Sequence, residues 1–512
     1  MPVILDARRL VVVFHRAIAL LALVSAGLSA RAQVPQSEYA QRRAALAGKL
    51  QDGVVLAIGA PEPSHDYVSF FQSEPFRYLT GYNEPNAALV IVKRSGQTAA
   101  TLFVERRDPA AEVWTGKRFG PEGAAEATGI SARPVDELGS VLDSLLKTTS
   151  RFYVVGDGQF SERSDRGERP LTVDEQFVRS LAAAHPSVKV ASANQHVMLL
   201  RAKKSAAELD LIRKAVAITV DAQREAMRAM DPGMNEFEIQ SLIEYTFRRN
   251  GADRPSFATI VGSGPNATTL HYNADDRFMN AGEVVVMDIG ASYRGYAADV
   301  TRTVPVSGTF TPDQRAIYQV VRDAQAAAER QARVGAKATL MSDSATAVIA
   351  AGLARLGLIE SAAATYDCGP VQQPQQCAQV QLYYMHGLGH GIGLAVHDPE
   401  QFAFTGTIAA GSAFTIEPGI YVRENLLEIL PETTRNNALI AKLRPAVQRF
   451  RNIGVRIEDD YVVTDQGVEW VSRAPREIDE VEAVMRESVA GVAKRDSAKV
   501  EWYRRTGGPQ AP

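Results

Sequence analysis

The 512-residue chain is poor in cysteine, in excess charge of either sign and in long apolar runs. Two cysteines exclude a disulfide-rich scaffold. Because 56 Lys and Arg nearly balance 59 Asp and Glu, the net charge of −3 does not indicate a nucleic-acid partner. One N-terminal apolar run excludes a multi-pass membrane protein. With 46% hydrophobic and 22% charged residues, the chain is typical of globular proteins with two or three domains.

The N-terminal apolar run has the form of an export signal. Arginines precede the run 17–25, and small residues follow it up to Ala30-Arg31-Ala32, a signal-peptidase pattern. The run is shorter than the roughly 20 residues that span a membrane. We therefore expect residues 1–32 to be removed, and an exported, periplasmic or secreted protein that begins near Gln33 without stable membrane insertion. An uncleaved anchor is the alternative.

The two cysteines, Cys368 and Cys377, lie close together in the sequence with two prolines between them. In an exported protein, two thiols in one short loop indicate a disulfide. Two free, buried thiols are the alternative. A metal-binding pair is disfavoured because the chain offers better ligands elsewhere.

Apolar runs and helical periodicity divide the rest of the chain into two domains. Residues 33–195 alternate short buried strands with helices, which predicts a mixed α/β domain. We expect the junction to lie within residues 191–204. The strands are predicted at 53–59, 87–92, 99–104 and 151–155, and a helix at 135–146.

A second domain is predicted over residues 200–475, and residues 476–512 are predicted to be a charged, helical tail. The capping-box pattern from Ser205 to Glu208 predicts a helix start. The succession of two helices and then strands occurs twice, which suggests two similar halves. Helices are predicted at 205–230, 236–250, 311–333 and 342–356, and strands at 257–261, 283–289, 296–304 and from 413 and 455.

Histidines are concentrated in the second domain. His386, His390 and His397 lie in one glycine-rich stretch, and His271 lies upstream. A lone histidine on an apolar segment is usually a satisfied core residue, but three in one stretch are harder to explain that way. Imidazole at neutral pH is a metal ligand and a proton shuttle.

Four acidic residues lie in apolar, strand-like segments. A turn at 292–295 predicts a hairpin that brings Asp288 and Asp299 side by side, and Glu417 and Glu458 have similar surroundings. Each acid alone is explained by a solvated or salt-bridged strand residue. Together, however, buried carboxylates repel one another and need compensating cations. Four carboxylates and one imidazole suit two divalent ions, which activate water for hydrolysis.

These motifs resemble the pita-bread metallopeptidases, and among them the Xaa-Pro aminopeptidases (aminopeptidase P), over nearly the whole mature chain. The resemblance implies a mixed α/β N-terminal domain followed by a pita-bread catalytic domain with two pseudo-symmetric halves. It also implies two divalent metal ions as cofactors. Manganese is preferred, with cobalt or zinc as alternatives.

The resemblance assigns five metal ligands. Asp288 is implied to bind one ion, Asp299 and Glu458 to bridge both ions, and His390 and Glu417 to complete the second. Glu417 is also implied to be the general base for the attacking water.

Four further residues match helper positions of the family. His271 is implied to assist the transition state, His397 to contact substrate and His386 to form the pocket wall. Arg456 is implied to lie near the bridging glutamate.

The implied activity is release of the N-terminal residue from peptides with proline in the second position. Segments 76–85 and 111–120 resemble the N-terminal domain of aminopeptidase P, which methionine aminopeptidases lack, and creatinase lacks the metal ligands. Prolidase, which cleaves Xaa-Pro dipeptides, or a related phosphotriester-cleaving member remains an alternative. A non-catalytic pita-bread binding protein is the alternative outside the enzymes. The insertion Asn425–Arg451 has no assigned role.

The resemblance further implies a homodimer or homotetramer. In such an assembly Trp114 is expected to reach toward a neighbouring subunit's active site. An ordinary surface or core tryptophan is the alternative.

Overall fold

The structure, a computed structural model, describes residues 34–65, 68–156, 172–373, 375–487 and 498. It divides the chain into two compact units, Met1–Arg201 and Ala202–Pro512. The predicted signal segment, residues 1–32, lies outside the described residues. No helix within the described ranges is long and apolar enough to cross a membrane.

One mixed β-sheet organises the first unit. Its strands are β1 Gly53–Ile58, β2 Ala88–Arg94, β3 Gln97–Val104, β4 Ser131–Pro134, β5 Arg151–Val155 and β6 Lys189–Ser192. They lie in the order β4-β3-β2-β1-β5-β6. The neighbours of β2 run antiparallel to it, and the remaining pairs are parallel. The four strands predicted from apolar runs are therefore confirmed.

Helices accompany this sheet. Leu138, Leu142 and Leu146 recur at every fourth position of one helix and are buried against the sheet residue Phe152, so its apolar stripe forms the core. The helix at Asn194–Arg201 occupies most of the predicted junction, and the boundary between the two units falls at its end, after Arg201. The helices are α1 Gln36–Lys49, α2 Glu74–Thr80, α3 Glu112–Thr115, α4 Gly120–Thr128, α5 Leu138–Leu146, α6 Val173–Ala184 and α7 Asn194–Arg201.

The second unit begins with two long helices, α8 Ala206–Ala229 and α9 Glu236–Arg249. The predicted capping box is confirmed: the Ser205 hydroxyl accepts from the Glu208 amide at 3.2 Å, and the Glu208 carboxylate accepts from the Ser205 amide at 2.9 Å. These bonds satisfy amide groups that the first helical turn leaves unpaired.

Two small antiparallel sheets follow these helices. One has the order β12-β9-β8 and the other β11-β10-β7. The predicted strand 257–261 begins only at Ile260, and the predicted strand 296–304 is interrupted before Val300. The strands are β7 Arg254–Pro255, β8 Ile260–Ser263, β9 Val284–Ile289, β10 Ala291–Tyr293, β11 Tyr296–Ala297 and β12 Val300–Pro305.

The register of β9 and β12 corrects the predicted hairpin. Asp288 pairs with Thr301, so Asp299 is a diagonal neighbour of Asp288 on the same face and is not its direct partner. The close approach of the strands requires glycine beside this site, since a Cβ at Gly290 would clash with the Ala298 carbonyl oxygen. The two carboxylates still share one face of the sheet.

The succession of helices and strands then repeats, as predicted. Helices α10 Pro312–Gln331 and α11 Thr339–Arg355 precede an antiparallel sheet of order β15-β18-β19 and the pair β16-β17. One large apolar cluster includes residues from both repeats. The remaining elements are β13 Thr365–Cys368, β14 Gln375–Ala378, α12 Gln401–Thr405, β15 Ala413–Ile416, β16 Gly419–Tyr421, α13 Thr434–Phe450, β17 Gly454–Arg456, β18 Asp459–Thr464, β19 Gly467–Trp470 and α14 Ile478–Met485.

The insertion Asn425–Arg451 supports a disulfide-closed hairpin. Cys368 and Cys377 are bonded across β13 and β14, which confirms the predicted disulfide. The Thr433 hydroxyl, at the start of α13, donates to the Asp367 carboxylate at 2.6 Å. The side-chain amide of Asn436 donates to the Asp367 carbonyl at 2.9 Å. The insertion therefore anchors the hairpin.

Candidate metal centre

One pocket of about 390 Å³ in the second unit gathers every site residue that the sequence predicted. Phe257, Leu270 and Val396 supply part of its apolar wall. The predicted site residues that line it are Asp288, Asp299, His390, Glu417, Glu458, His271, His386, His397 and Arg456.

Three of the four acids that line this pocket lie at breaks between β-strands. Asp288 lies inside β9, but Asp299 immediately precedes β12, Glu417 follows β15 and Glu458 lies between β17 and β18. The sequence predicted all four within strand-like segments. At a break, the backbone leaves the ladder, so side chains from different sheets converge on one point.

His390 lies among three of these carboxylates. Its Nε2 atom is 3.5 Å from Asp299 Oδ2, 3.5 Å from Glu417 Oε1 and 3.9 Å from Glu458 Oε1. Its Nδ1 atom lies 3.1 Å from the Gly391 carbonyl oxygen, so Nδ1 carries the hydrogen and Nε2 is left with its lone pair toward the acids. Asp299, His390 and Glu458 each offer a ligand atom, and these atoms lie within 4.8 Å of one another.

Asp288 is compensated by a buried arginine. Arg456 forms an ion pair with Asp288 Oδ2 at 2.6 Å and also donates to the Tyr421 hydroxyl at 2.8 Å. Its Nε atom lies 3.3 Å from the Thr301 hydroxyl, which donates to Glu458 at 2.6 Å. Arg456 thus contacts Asp288 directly and reaches Glu458 through Thr301, which refines the expectation that it lies near the bridging glutamate.

Three carboxylate oxygens in this cluster are buried without a hydrogen-bond partner among the described residues. They are Asp288 Oδ1, Asp299 Oδ1 and Glu458 Oε1. A buried carboxylate oxygen without a partner is costly. The donor set and the three unpartnered oxygens therefore fit divalent cations, which accept carboxylate and imidazole ligands together.

The electrostatics of the cluster lead to the same conclusion. Burial raises the pKa of Asp299 well above its usual range, and the neighbouring Glu458 and Asp288 carboxylates raise it further. Burial likewise raises the pKa of Glu417 well above its usual range. Burial, with repulsion from Asp288, raises the pKa of Glu458 to about 8. The protein alone does not stabilise all these negative charges, whereas bound cations would.

His386 is held as a neutral imidazole at the pocket wall. Burial lowers its pKa to about 4. Nδ1 lies 2.8 Å from the Gly387 carbonyl oxygen, so it donates there, and Nε2 accepts from the Tyr421 hydroxyl at 2.9 Å. Nδ1 is also 3.8 Å from Glu417 Oε2. The His397 ring packs 4.2 Å from the His390 ring.

Sequence reasoning missed the residues that hold the acids in place. Tyr421 and Thr301 bond to Arg456, and Asp460 accepts from the Asp299 amide at 3.0 Å. Fully buried Arg302 donates to the Glu458 carbonyl at 2.7 Å. The local signal was proximity to a predicted ligand: Asp460 follows Glu458 by two positions, and Thr301 and Arg302 follow Asp299 by two and three.

Comparisons with known proteins agree with this geometry. Residues 39–154 match the family described as aminopeptidase P, N-terminal domain, and residues 210–465 match metallopeptidase family M24. The Xaa-Pro aminopeptidase of Escherichia coli (strain K12) is 31% identical over 473 residues, which cover 88% of this chain and 98% of that protein.

The chain belongs to metallopeptidase family M24. A solved structure, the proline aminopeptidase P II from Yersinia pestis, is similar with a TM-score of 0.74 at 30% identity, and the match covers 88% of this chain and 99% of that one. The human Xaa-Pro dipeptidase is 30% identical over 491 residues, which cover 88% of this chain and 94% of that protein. The predicted family and fold class are confirmed.

Proposed function

We propose that this M24 chain is an Xaa-Pro aminopeptidase, which releases the N-terminal residue from peptides with proline in the second position. The observation that carries the proposal is the convergence of four carboxylates and His390 in one pocket, with His271, His386 and His397 at its wall. The match to an aminopeptidase P N-terminal domain supports it.

Five pocket residues would hold two divalent ions. Asp288, Asp299, His390, Glu417 and Glu458 would be the ligands of these ions. Manganese is the preferred metal, with cobalt or zinc as alternatives. Such ions, when bound, polarise the scissile carbonyl and lower the pKa of a water molecule.

Glu417 would act as the general base. Its carboxylate is buried beside His390 and His386, so it can accept a proton from the attacking water within the pocket. The proline nitrogen of the scissile bond carries no hydrogen and must gain a proton to leave. Glu417 would therefore pass that proton on to the departing nitrogen.

Two histidines would stabilise the transition state. His271 and His397 line the pocket and are not among the proposed ligands, so their ring N–H groups are free to donate to substrate. Donors at the developing oxyanion and near the leaving nitrogen have their largest effect when they are already in position.

A second candidate is an Xaa-Pro dipeptidase, which the similarity to the human dipeptidase favours. A non-catalytic binding protein is disfavoured because the complete donor set lies in one pocket.

A substrate panel tests the proposed activity. Metal-free protein receives Mn²⁺, Co²⁺ or Zn²⁺ and is offered an Xaa-Pro dipeptide, a longer Xaa-Pro peptide and the same longer peptide with alanine as its second residue. We expect the longer proline peptide to be cleaved after its first residue and the alanine peptide to be cleaved far more slowly. Cleavage of the dipeptide alone would establish the dipeptidase, and no cleavage under any condition would exclude both enzymes.

We also propose that the protein is exported, to a periplasmic or secreted location. The Cys368–Cys377 disulfide supports an oxidising compartment. The mass of the protein purified from its native host should correspond to a chain that begins near Gln33. A mass that retains residues 1–32 would contradict the proposal.

Assembly into a homodimer or homotetramer is proposed as well. Val113 and Trp114, adjacent in the short helix α3, are 78% and 88% exposed and are therefore available for a contact between subunits. Sedimentation at micromolar concentration should show the oligomer, and a monomer would count against it.

A further inference from the structure

The loop 386–398 carries three pocket histidines but almost no regular secondary structure. Its shape must therefore be set by contacts from other segments. The Asp398 amide donates to the Gly391 carbonyl at 2.9 Å, which closes the loop on itself. Gly391 follows His390 and Asp398 follows His397, so this bond holds the two histidines near each other. The centroids of their rings are 4.2 Å apart.

Lys204 lies beneath this closed loop. Its Nζ atom is 2.9 Å from Asp398 Oδ2 and donates to the Pro399 carbonyl at 2.6 Å. The side chains of Lys204 and Asp398 are 1% and 2% exposed, so the ion pair is buried. The Lys204 amide donates to the Gly411 carbonyl at 2.7 Å, which fixes the lysine's own backbone.

Residues of the loop pack closely against this ion pair. The other Asp398 oxygen, Oδ1, accepts from the Ala395 amide at 3.3 Å. A Cβ at Gly393 would clash with the Asp398 carboxylate and lie 2.9 Å from Lys204 Cε. The backbone around His397 therefore takes its position from the Lys204–Asp398 pair.

We propose that Lys204, acting through Asp398, is a positioning residue that places the His397 ring for substrate. The inference rests on the role proposed above for His397. Lys204 does not line the pocket and so does not contact the substrate there. A displacement of a catalytic-site group by about 1 Å can cost roughly 100-fold in rate. Loss of the ion pair should therefore lower turnover.

Three variants test the proposal. Lys204→Met leaves the buried Asp398 carboxylate without the compensating charge of the lysine, which threatens the fold. Lys204→Met/Asp398→Asn removes that charge, and Asp398→Asn alone keeps the shape of the side chain. We expect folded variants to lose about 10-fold to 100-fold in kcat/KM on a proline peptide while their bound metal per chain stays at the wild-type level. Arg315→Met, which breaks an ion pair with Glu482 outside the pocket, is the control and should retain wild-type kcat/KM.

A double-mutant cycle with His397→Ala separates positioning from general destabilisation. If Lys204 acts through His397, Lys204→Met/Asp398→Asn should cost little further activity in a chain that already lacks the His397 ring. If the losses multiply, or if the folded double variant remains within twofold of wild type, the inference is wrong. If His397→Ala alone leaves turnover unchanged, both the role proposed for His397 and the inference about Lys204 are wrong. An inactive wild-type protein would instead refute the proposed function.

Discussion

Glu417→Gln is expected to keep the fold and to lose roughly 10²-fold to 10⁴-fold in kcat on a proline peptide. Glutamine has nearly the same shape as glutamate but cannot accept the proton of the attacking water. Because Glu417 is also a proposed ligand, the metal content of the variant should change as well. The measurement is steady-state turnover, with circular dichroism to verify folding.

Glu428→Gln provides the matched control, since this glutamate is exposed and lies outside the pocket. It should be indistinguishable from wild type. Near-normal activity of Glu417→Gln would refute the assigned general base, whatever the rest of the site does.

Removal of divalent ions is expected to abolish hydrolysis and to make stability depend on pH. In the metal-free fold, burial raises the pKa of Glu458 from its ordinary 4.5 to about 8. The protonated Glu458 side chain is tolerated in the folded protein, so its contribution to stability is fully present below about pH 4.5. This contribution is lost as pH rises through 8, because the buried carboxyl must then ionise. Asp299 shifts in the same direction.

We therefore expect the metal-free protein to become less stable between about pH 4.5 and 8, and the Mn²⁺-loaded protein to show no such loss. Thermal unfolding in a pH series, with and without added metal after chelation, measures the difference. Parallel pH profiles in the two states would show that the carboxylates do not bind the ions.

Local patterns were sufficient to predict much of the fold. The capping box at Ser205 fixed a helix start from four neighbouring residues, and uninterrupted apolar runs located the central strands of the first unit. The chemistry of the pocket was predicted in the same way, because acids in apolar segments and three histidines among glycines are unusual enough to stand out.

Contacts between distant segments could not be predicted. Lys204 meets Pro399 across 195 positions, and Thr301 meets Glu458 across 157, so neither pair leaves a periodic or local trace. The strand break at Ala298 and Asp299 is a further example. The segment has strand-like composition, but convergence of several sheets on the pocket interrupts its ladder.

The role of the insertion also depends on contacts between distant segments. Sequence reasoning assigned no role to the insertion Asn425–Arg451, because its anchoring of the disulfide hairpin depends on tertiary contacts with Asp367.

The most direct test of the account is anomalous diffraction from a crystal of the protein grown with Mn²⁺ and measured at the manganese absorption edge. The account predicts two anomalous peaks per chain, both enclosed by Asp288, Asp299, His390, Glu417 and Glu458. A single peak, peaks outside this cluster, or an empty cluster in a protein that is active with Mn²⁺ would contradict it.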